Sequence, residues 1–423
     1  MNRREPWRPV LDGEVKKWNG KSCINLIAEL SDVQSYEVEF EGKKYQVEVQ
    51  LLENTDRYVH VGPSVDDGSI PASFCPLSES FIRQKLRSME ERKTMHAIRI
   101  HSYGGPDVMQ WEELPTPTPG PGLALIRVEA ASVNFLDVQK RRGELVGQAF
   151  YRRGRESEPD LPATLGSQGV GVVEQLRAEV RNVKVGDRVV FVGDSYATHA
   201  LAPAAWLTRV PEGIGVQQAA AGMNQGFLAY AFTHFAYPVR QADWCLIHAA
   251  AGGIGLLLCQ MAKMRGGRVI GVTSSREKAH FVKDAGADEV IISKEIDVAE
   301  EAKRITEGRG VNVVFDGVGK DTFEASLNSL TPGGYLVIYG QSSGYVPPFD
   351  LMTLQQKGSL FLTRTNGSPY FKEYPRYVDQ LVGWLKQGKL SIRIDRTYPL
   401  ADAAQAHAAF EKRQVSGRVL LLP

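Results

Sequence analysis

The residues best suited to chemistry lie in a glycine-rich run, HAAAGGIG, from His248 to Gly255. It separates the apolar stretch Trp244-Cys245-Leu246-Ile247 from the apolar run Leu256-Leu257-Leu258. Ala250, Gly252 and Gly255 fill the spacing of the dinucleotide fingerprint G-x-G-x-x-G, with alanine in first place. In that frame Gly252 lets the backbone approach a pyrophosphate, and Gly255 lets the helix pack closely on the strand. The opening helical turn adds N–H donors and a partial positive charge, which points to Ala251, Gly252, Gly253 and Ile254 as cofactor contacts. Alanine at the first position requires only a backbone without positive φ. Glycines also serve ordinary tight turns. Here a strand precedes the loop, a helix follows it, and a βαβαβ series begins, so the run is read as a dinucleotide site.

The end of the next strand distinguishes the two nicotinamide dinucleotides. An NAD site places an acidic residue about twenty positions on, where it holds the ribose 2′-OH. Here RVIGV is followed by Thr273-Ser274-Ser275-Arg276-Glu277-Lys278, with Thr273 where the acid would stand. Hydroxyls beside an arginine and Lys278 suit a 2′-phosphate dianion, which favours NADPH. The same residues also fit a helix N-cap at Ser274 or Ser275 followed by surface charges.

The elements that must position this loop follow from periodicity. From Asp243 onward short apolar strands alternate with helices: WCLIH, then Gly253 to Met264, then RVIGV, SREKAHFVKDAG, DEVII, VAEEAKRITEG, VNVVFDGVG, KDTFEASLNSL and GYLVIYG. Apolar runs without alternation suit a parallel sheet buried on both faces, so residues 218–358 are assigned to a doubly wound α/β (Rossmann) domain. Residues 94–217 break into extended pieces separated by Gly, Pro and Asp turns, a mostly β domain. Helices at Tyr374 to Lys386 and Asp402 to Lys412 flank the strand IRIDRTYPL, within a last part spanning 359–423. The first 93 residues form a separate β-rich unit: YEVEFEGKKYQVEVQLL alternates across a turn, RYVHVG adds a third strand, and FIRQKLRSMEERKT reads as a charged helix or linker. No catalytic motif is found there.

With 43% apolar residues and a net charge of +1, the 423-residue chain has the composition of a soluble globular protein of two or three domains. The charge balance gives no general attraction to nucleic acid or to anionic membrane. The uncharged stretch Trp244 to Ala262 is interrupted by glycines and fits a buried strand, turn and helix better than a membrane span. The four cysteines are scattered, with no C-x-x-C. That argues against a disulfide scaffold or a cysteine zinc site, and the cytoplasm is the default compartment.

From about His96 to Pro423 the chain resembles the zinc-independent quinone oxidoreductases of the medium-chain dehydrogenase/reductase superfamily. The resemblance rests on HAAAGGIGLLLCQMAK, SVNFLDVQKRRG, LPATLGSQGVG, GDRVVF, DGVGKDTF, GQSSG, QKGSLFLTR and GRVLLLP, in that family's order apart from the first. It implies a GroES-like, mostly β catalytic domain built from both ends of this region, with the Rossmann domain inserted and the active site between them. It also implies NADPH and a homodimer formed through the Rossmann domains. Zinc-dependent relatives put a cysteine where this chain has Asn134 and a His-Glu pair where it has Ser167-Gln168. Amides are poor zinc ligands, so no metal is expected.

Without a metal, the best hydride acceptors are already activated, such as quinones or α,β-unsaturated carbonyls, and polar groups must stabilise the developing oxyanion. By resemblance Asn134 lies near the nicotinamide, Asp137 orients its loop or caps a turn, and Gln168 lines the cleft with Asn224 and Gln225. Asn134 and Asp137 also fit a plain helix N-cap. Gly340, Gln341 and Ser342 are expected to border the pyrophosphate and nicotinamide side. Arg364 and Arg418 are matched candidates for cofactor contact, or else surface arginines. Ser293 replaces a tyrosine that stacks near the adenosine in close relatives. Glu144 to Asp160 is longer than the family's loop, and its arginines either gate the pocket or are solvated. The leading expectation is an NADPH-dependent quinone reductase, with an enoyl or 2-alkenal reductase as the close alternative. A non-catalytic NADPH-binding protein whose N-terminal unit docks another protein or subunit is the reading from another class.

Overall fold

The computed structural model describes residues 94–144, 161–177, 180 and 182–423, with 12–13, 16–17, 34–40, 43–54, 58–66, 77–78 and 81–84 before them. The chain divides into two compact units, Met1–Lys93 and Thr94–Pro423. In the first, β1 (Gln34–Phe40) pairs antiparallel with β2 (Lys43–Asn54), Phe40 facing Lys43 across the turn. β3 (Tyr58–Asp66) follows on β2, and β4 (Leu77–Ser78) and β5 (Phe81–Gln84) both pair with β3. Phe81–Gln84 therefore corrects the reading of FIRQKLRSMEERKT as a helix at its start. Its aromatic and β-branched head favours extended backbone, and pairing with β3 satisfies its peptide groups. Residues 85–93 of that segment lie outside the described residues.

The second unit opens with β6 (Thr94–Ile100) and β7 (Met109–Pro115), joined by β9 (Ala163–Thr164) in a small antiparallel sheet. β8 (Leu123–Ser132), β10 (Gln168–Leu176), β11 (Arg188–Val192), β12 (His199–Pro203) and β13 (Thr208–Arg209) build a larger sheet. The last strand of the chain, β21 (Arg418–Leu422), enters it beside β8, with Leu420 opposite Ser132, and carries β20 (Ile394–Pro399) on its other edge. Both ends of this unit thus meet in one β layer. Helix α1 (Phe135–Arg142) leaves directly from the end of β8. The long loop read between Glu144 and Asp160 falls outside the described residues after Glu144.

The third sheet is parallel throughout, in the order β16 (Glu289–Ile292), β15 (Arg268–Thr273), β14 (Trp244–Ile247), β17 (Val311–Asp316), β18 (Leu330–Ile338), β19 (Phe361–Arg364). Its strands alternate between two cores: Cys245 and Ile247 pack into one, Leu246 into the other, each with 0% exposure. That two-sided burial is why these strands lack polar alternation. β19 carries the parallel sheet beyond residue 358, where the sequence reading ends this domain. α2 (Val216–Ala231), missed by the sequence reading, runs into the sheet's first strand, and α3 (Gly253–Met264) follows β14 through the glycine loop. α4 (Arg276–Asp284), α5 (Val298–Ile305) and α6 (Phe323–Ser329) make the next three crossovers. α7 (Met352–Gln356), α8 (Tyr374–Lys386) and α9 (Ala403–Glu411) complete the unit. No helix among the described residues is long and apolar enough to cross a membrane.

Candidate active site

The glycine loop turns from β14 into α3 at the centre of the parallel sheet, where strand order reverses; such a switch point is where α/β sheets bind ligands. Ala250 is buried and Ala249, not Ala250, takes the positive φ of 49°, so alanine costs nothing at the fingerprint's first position. Gly253 has a distinct reason: a Cβ there would stand 2.4 Å from Cδ of Arg418. The loop is also tied to the chain terminus, the Gly417 N–H donating to the Ala251 carbonyl at 2.9 Å. Gly252 bridges Gly417 in parallel register.

A cleft of about 1960 Å³ passes this loop. It is lined by Asn134, Gln168, Ala251, Gly252, Gly253, Ile254, Thr273, Ser274, Lys278, Ser293, Gly340, Gln341, Ser342, Arg364 and Arg418 of the residues singled out in the sequence. Two others do not line it. Asp137 is fully buried behind Asn134, and Ser275 is the N-cap of α4.

At the closed end, Asn134 is the N-cap of α1, and its backbone N–H donates to Asp137 Oδ2 at 2.8 Å, half of a capping box. Its side chain is held from four sides. Nδ2 donates to Ser167 Oγ at 3.0 Å and to the Ser132 carbonyl at 3.4 Å, while Oδ1 accepts from Gln225 Nε2 and Arg418 Nη2, both at 2.8 Å. These partners come from β8, the loop before β10, α2 and β21, so the amide is a junction of four elements. Gln168 donates through Nε2 to the Ala220 carbonyl at 2.9 Å, a carbonyl that also accepts from Ser132 Oγ at 2.6 Å.

Arg418 is only 6% exposed, its Nε has no partner, and burial pushes its pKa down to about 10 against the pull of Asp137 and Tyr196. Behind the amide runs a buried chain. Arg141 donates from Nη1 to His407 Nδ1 at 3.1 Å, which sets the imidazole to donate from Nε2 to Tyr196 Oη at 3.0 Å. Tyr196 in turn donates to Asp137 Oδ2 at 3.3 Å. Burial, then the Arg141 charge, pull the His407 pKa down to about 3, so the ring is neutral. Burial pushes the Asp137 carboxyl up to about 6, opposed by hydrogen bonds from Asn134, Ser167 and Tyr196 and by the Lys140 charge.

The open end is different in kind. Thr273, Ser274 and Ser293 present hydroxyls, and the Ser293 N–H donates to the Thr273 carbonyl at 2.9 Å. Lys278 reaches the cleft wall, but its ammonium donates to the carbonyls of Arg413 at 2.5 Å and Val415 at 3.1 Å. Two of its three donors are therefore engaged. Burial lowers the Lys278 pKa, with Asp395 opposing. Arg276 pairs instead with Glu295 at 2.8 Å outside the cleft. Arg413, which sequence reasoning missed, lines the cleft with Lys278; the only signal for it was the basic pair Lys412-Arg413 before the last strand. Arg364 donates to Gln341 Oε1 at 3.0 Å. His248, which opens the glycine run, is 1% exposed with its backbone N–H on the Phe315 carbonyl at 3.0 Å, and it lines the cleft with its Nε2 without a partner.

This geometry stands beside clear likenesses. The alcohol dehydrogenase GroES-like domain family matches residues 120–229, and the zinc-binding dehydrogenase family matches 253–383. A quinone oxidoreductase of Pseudomonas aeruginosa is 38% identical over 333 residues, covering 77% of this chain and 99% of that protein. The chain belongs to the quinone oxidoreductase family of medium-chain dehydrogenases and reductases. Another relative of this quinone oxidoreductase family protein is a 2-haloacrylate reductase of Burkholderia, 36% identical over 342 residues, with 77% and 98% coverage. The solved quinone oxidoreductase of Escherichia coli in complex with NADPH superposes with a TM-score of 0.72 at 34% identity, covering 78% of this chain and all of that one. Family membership explains why a β layer from both ends of the second unit adjoins a parallel sheet. The unmatched stretch is mainly the first unit, Met1–Lys93.

Proposed function

We propose that this chain is an NADPH-dependent reductase that passes hydride to quinones or to related activated carbonyl and alkene acceptors. The observation that carries the reading is one continuous cleft. A glycine loop and hydroxyl-rich strand end lie along one part of it, and the Asn134 amide junction closes the other. The bound nicotinamide supplies the hydride. Gly252, Gly253 and the first N–H groups of α3 suit its pyrophosphate, Gly340, Gln341, Ser342 and Arg364 border the same wall, and Thr273, Ser274, Lys278 and Arg413 suit a 2′-phosphate. Ser275 stands at the N-cap position of α4, off the cleft, and Ser293 fills the strand end where an adenosine would lie.

Zinc does not fit the residues present. The family name implies it, but the relevant positions carry an amide, a hydroxyl and an amide in Asn134, Ser167 and Gln168. Among the described residues no three His, Cys, Asp or Glu side chains group to hold a metal. Hydrogen-bond donors must therefore stabilise the acceptor's oxygen. Both Asn134 N–H donors are internally engaged and the Ser167 O–H is given to Asp137, so we assign Asn134 and Ser167 to positioning and the developing charge to the second Gln168 N–H and the Arg418 field. Asp137 positions Asn134 from behind.

Activated alkenes remain a second acceptor class, favoured by the likeness to a 2-haloacrylate reductase. We assign 94–217 and 359–423 to the catalytic domain and 218–358 to the cofactor domain, with the boundary after 358 moved to follow β19, which pairs with the parallel sheet. A homodimer through this domain is supported by the free sheet edge at β19, where Phe361 is 52% exposed and stacks on Tyr335 at 4.5 Å. Cytoplasmic residence rests on the free, buried thiols Cys245 and Cys259. NADPH oxidation measured against a panel of quinones and enals tests the reading; no turnover with any acceptor sinks it.

A further inference from the structure

Away from the cleft, the last turn of α2, one face of α8 (Arg376, Gln380, Trp384) and the end of α3 border a second pocket of about 550 Å³. That lies within the roughly 300–1,000 Å³ usual for small-molecule sites. No residue lining it lines the dinucleotide cleft. One wall is aromatic: His234 packs on Tyr230 with ring centroids 4.0 Å apart and planes tilted by 33°, and Trp384 packs 6.0 Å from Tyr230 at 50°. His234 reaches that place because α2 does not end as an α-helix. It continues as a π-helical turn, Phe232–Ala236, closed by the Tyr237 N–H on the Phe232 carbonyl at 3.0 Å. Such turns are poor in backbone energy and concentrate at functional sites.

The rim is cationic. Arg265, Arg376 and Lys389 all line the pocket and are exposed. Arg265 spends its Nε on the Val239 carbonyl at 3.1 Å, which leaves its terminal nitrogens. Arg376 has only a loose pair with Glu373 at 3.9 Å, and the Lys389 ammonium has no ion pair among the described residues. Both charges act on the same ring: after burial, those of Arg265 and Arg376 hold the His234 pKa down, at about 4. The aromatic wall therefore stays neutral while the rim stays positive.

We propose that this pocket is a second ligand site that takes a flat aromatic molecule bearing a phosphate or carboxylate. The ring lies against His234, Tyr230 and Trp384, and the anion meets Arg265, Arg376 and Lys389. Planar guanidinium groups recognise such anions by paired hydrogen bonds. The proposal does not depend on the reading of the cleft.

The test is calorimetric titration of 1-naphthyl phosphate into the whole protein, with and without saturating NADPH. The expected result is saturable binding at one site per chain, unchanged by NADPH. Arg376→Glu and Lys389→Glu should each weaken it by about tenfold or more, and 1-naphthylmethanol or inorganic phosphate alone should bind as weakly as the variants do. Turnover with NADPH should match the parent in both variants, showing an intact fold. Displacement of the probe by NADPH overturns the proposal, because it moves the probe to the cleft. Binding untouched by both charge reversals overturns it, and so does the absence of saturable binding.

Discussion

The two ends of the cleft are built on opposite principles. At the closed end Asn134, Gln168, Gln225 and Arg418 are 7%, 4%, 9% and 6% exposed and bind one another or buried carbonyls. At the other end the Thr273 hydroxyl is buried, but Ser274, Ser293 and flexible cations meet solvent, and Lys278 is shared with the 413–415 carbonyls. A buried polar junction fixes geometry, and removing one member strands the rest without water. A partly exposed cationic end contributes mainly charge, which salt screens. The difference predicts that closed-end substitutions change turnover and stability together, whereas open-end substitutions change affinity for one cofactor.

The largest effect is expected from Arg418→Met. It removes one of the two donors to Asn134 Oδ1 and the cation opposite Asp137. Steady-state kinetics should show kcat falling about a hundredfold, in line with loss of an oriented donor at a reacting oxygen. Denaturant unfolding should lose roughly 1.5–3 kcal/mol. An unchanged kcat would break the claim that the closed end acts as a unit.

Asp137 sharpens the same contrast through pH. Its carboxyl is raised from 3.8 to about 6 in the folded protein. The folded state then holds the proton more tightly than the unfolded one. This group's contribution to stability is full below about pH 4 and is lost as pH rises through about 6, on the order of 3 kcal/mol in all. Asp137→Asn should flatten the stability-against-pH curve over that window relative to the parent. Parallel curves for the two proteins would contradict a buried, protonatable Asp137.

At the open end, Lys278→Ala should weaken NADPH binding about tenfold, near 1.4 kcal/mol, and NADH binding far less. Added salt should shrink the gap. Equal losses would mean that Lys278 acts only by tying down the 413–415 segment. Arg413→Ala should give the smallest effect, about threefold on NADPH alone.

What the sequence made legible follows the same division. The glycine frame, the missing acid at Thr273 and the alternating strands and helices are local patterns, and the structure keeps them: Gly253–Met264 and Tyr374–Lys386 are helices at the limits read from periodicity. The helix over 216–231 is hidden in the sequence by Gly222 and Gly226, residues that weaken a helix interior. Packing requires them: a Cβ at Gly222 would stand 2.1 Å from Ile392 Cδ1, and one at Gly226 2.0 Å from Tyr377 Oη. The Asn134 junction was illegible in its partners, since Arg418 lies 284 residues away and only the shared β layer brings them together. Lys278 was read from its charge alone, and a charge does not reveal that two distant carbonyls claim it. Phe81–Gln84 was read with the charged residues after it rather than with its pairing partner β3.

The most direct test of the central claim is the rate of quinone reduction by protein stripped of metal with a chelator, with NADPH and NADH compared on one quinone and one short enal. The account predicts turnover that survives chelation and a kcat/KM for NADPH well above that for NADH. Turnover that disappears on chelation and returns with zinc, or that prefers NADH, would contradict it.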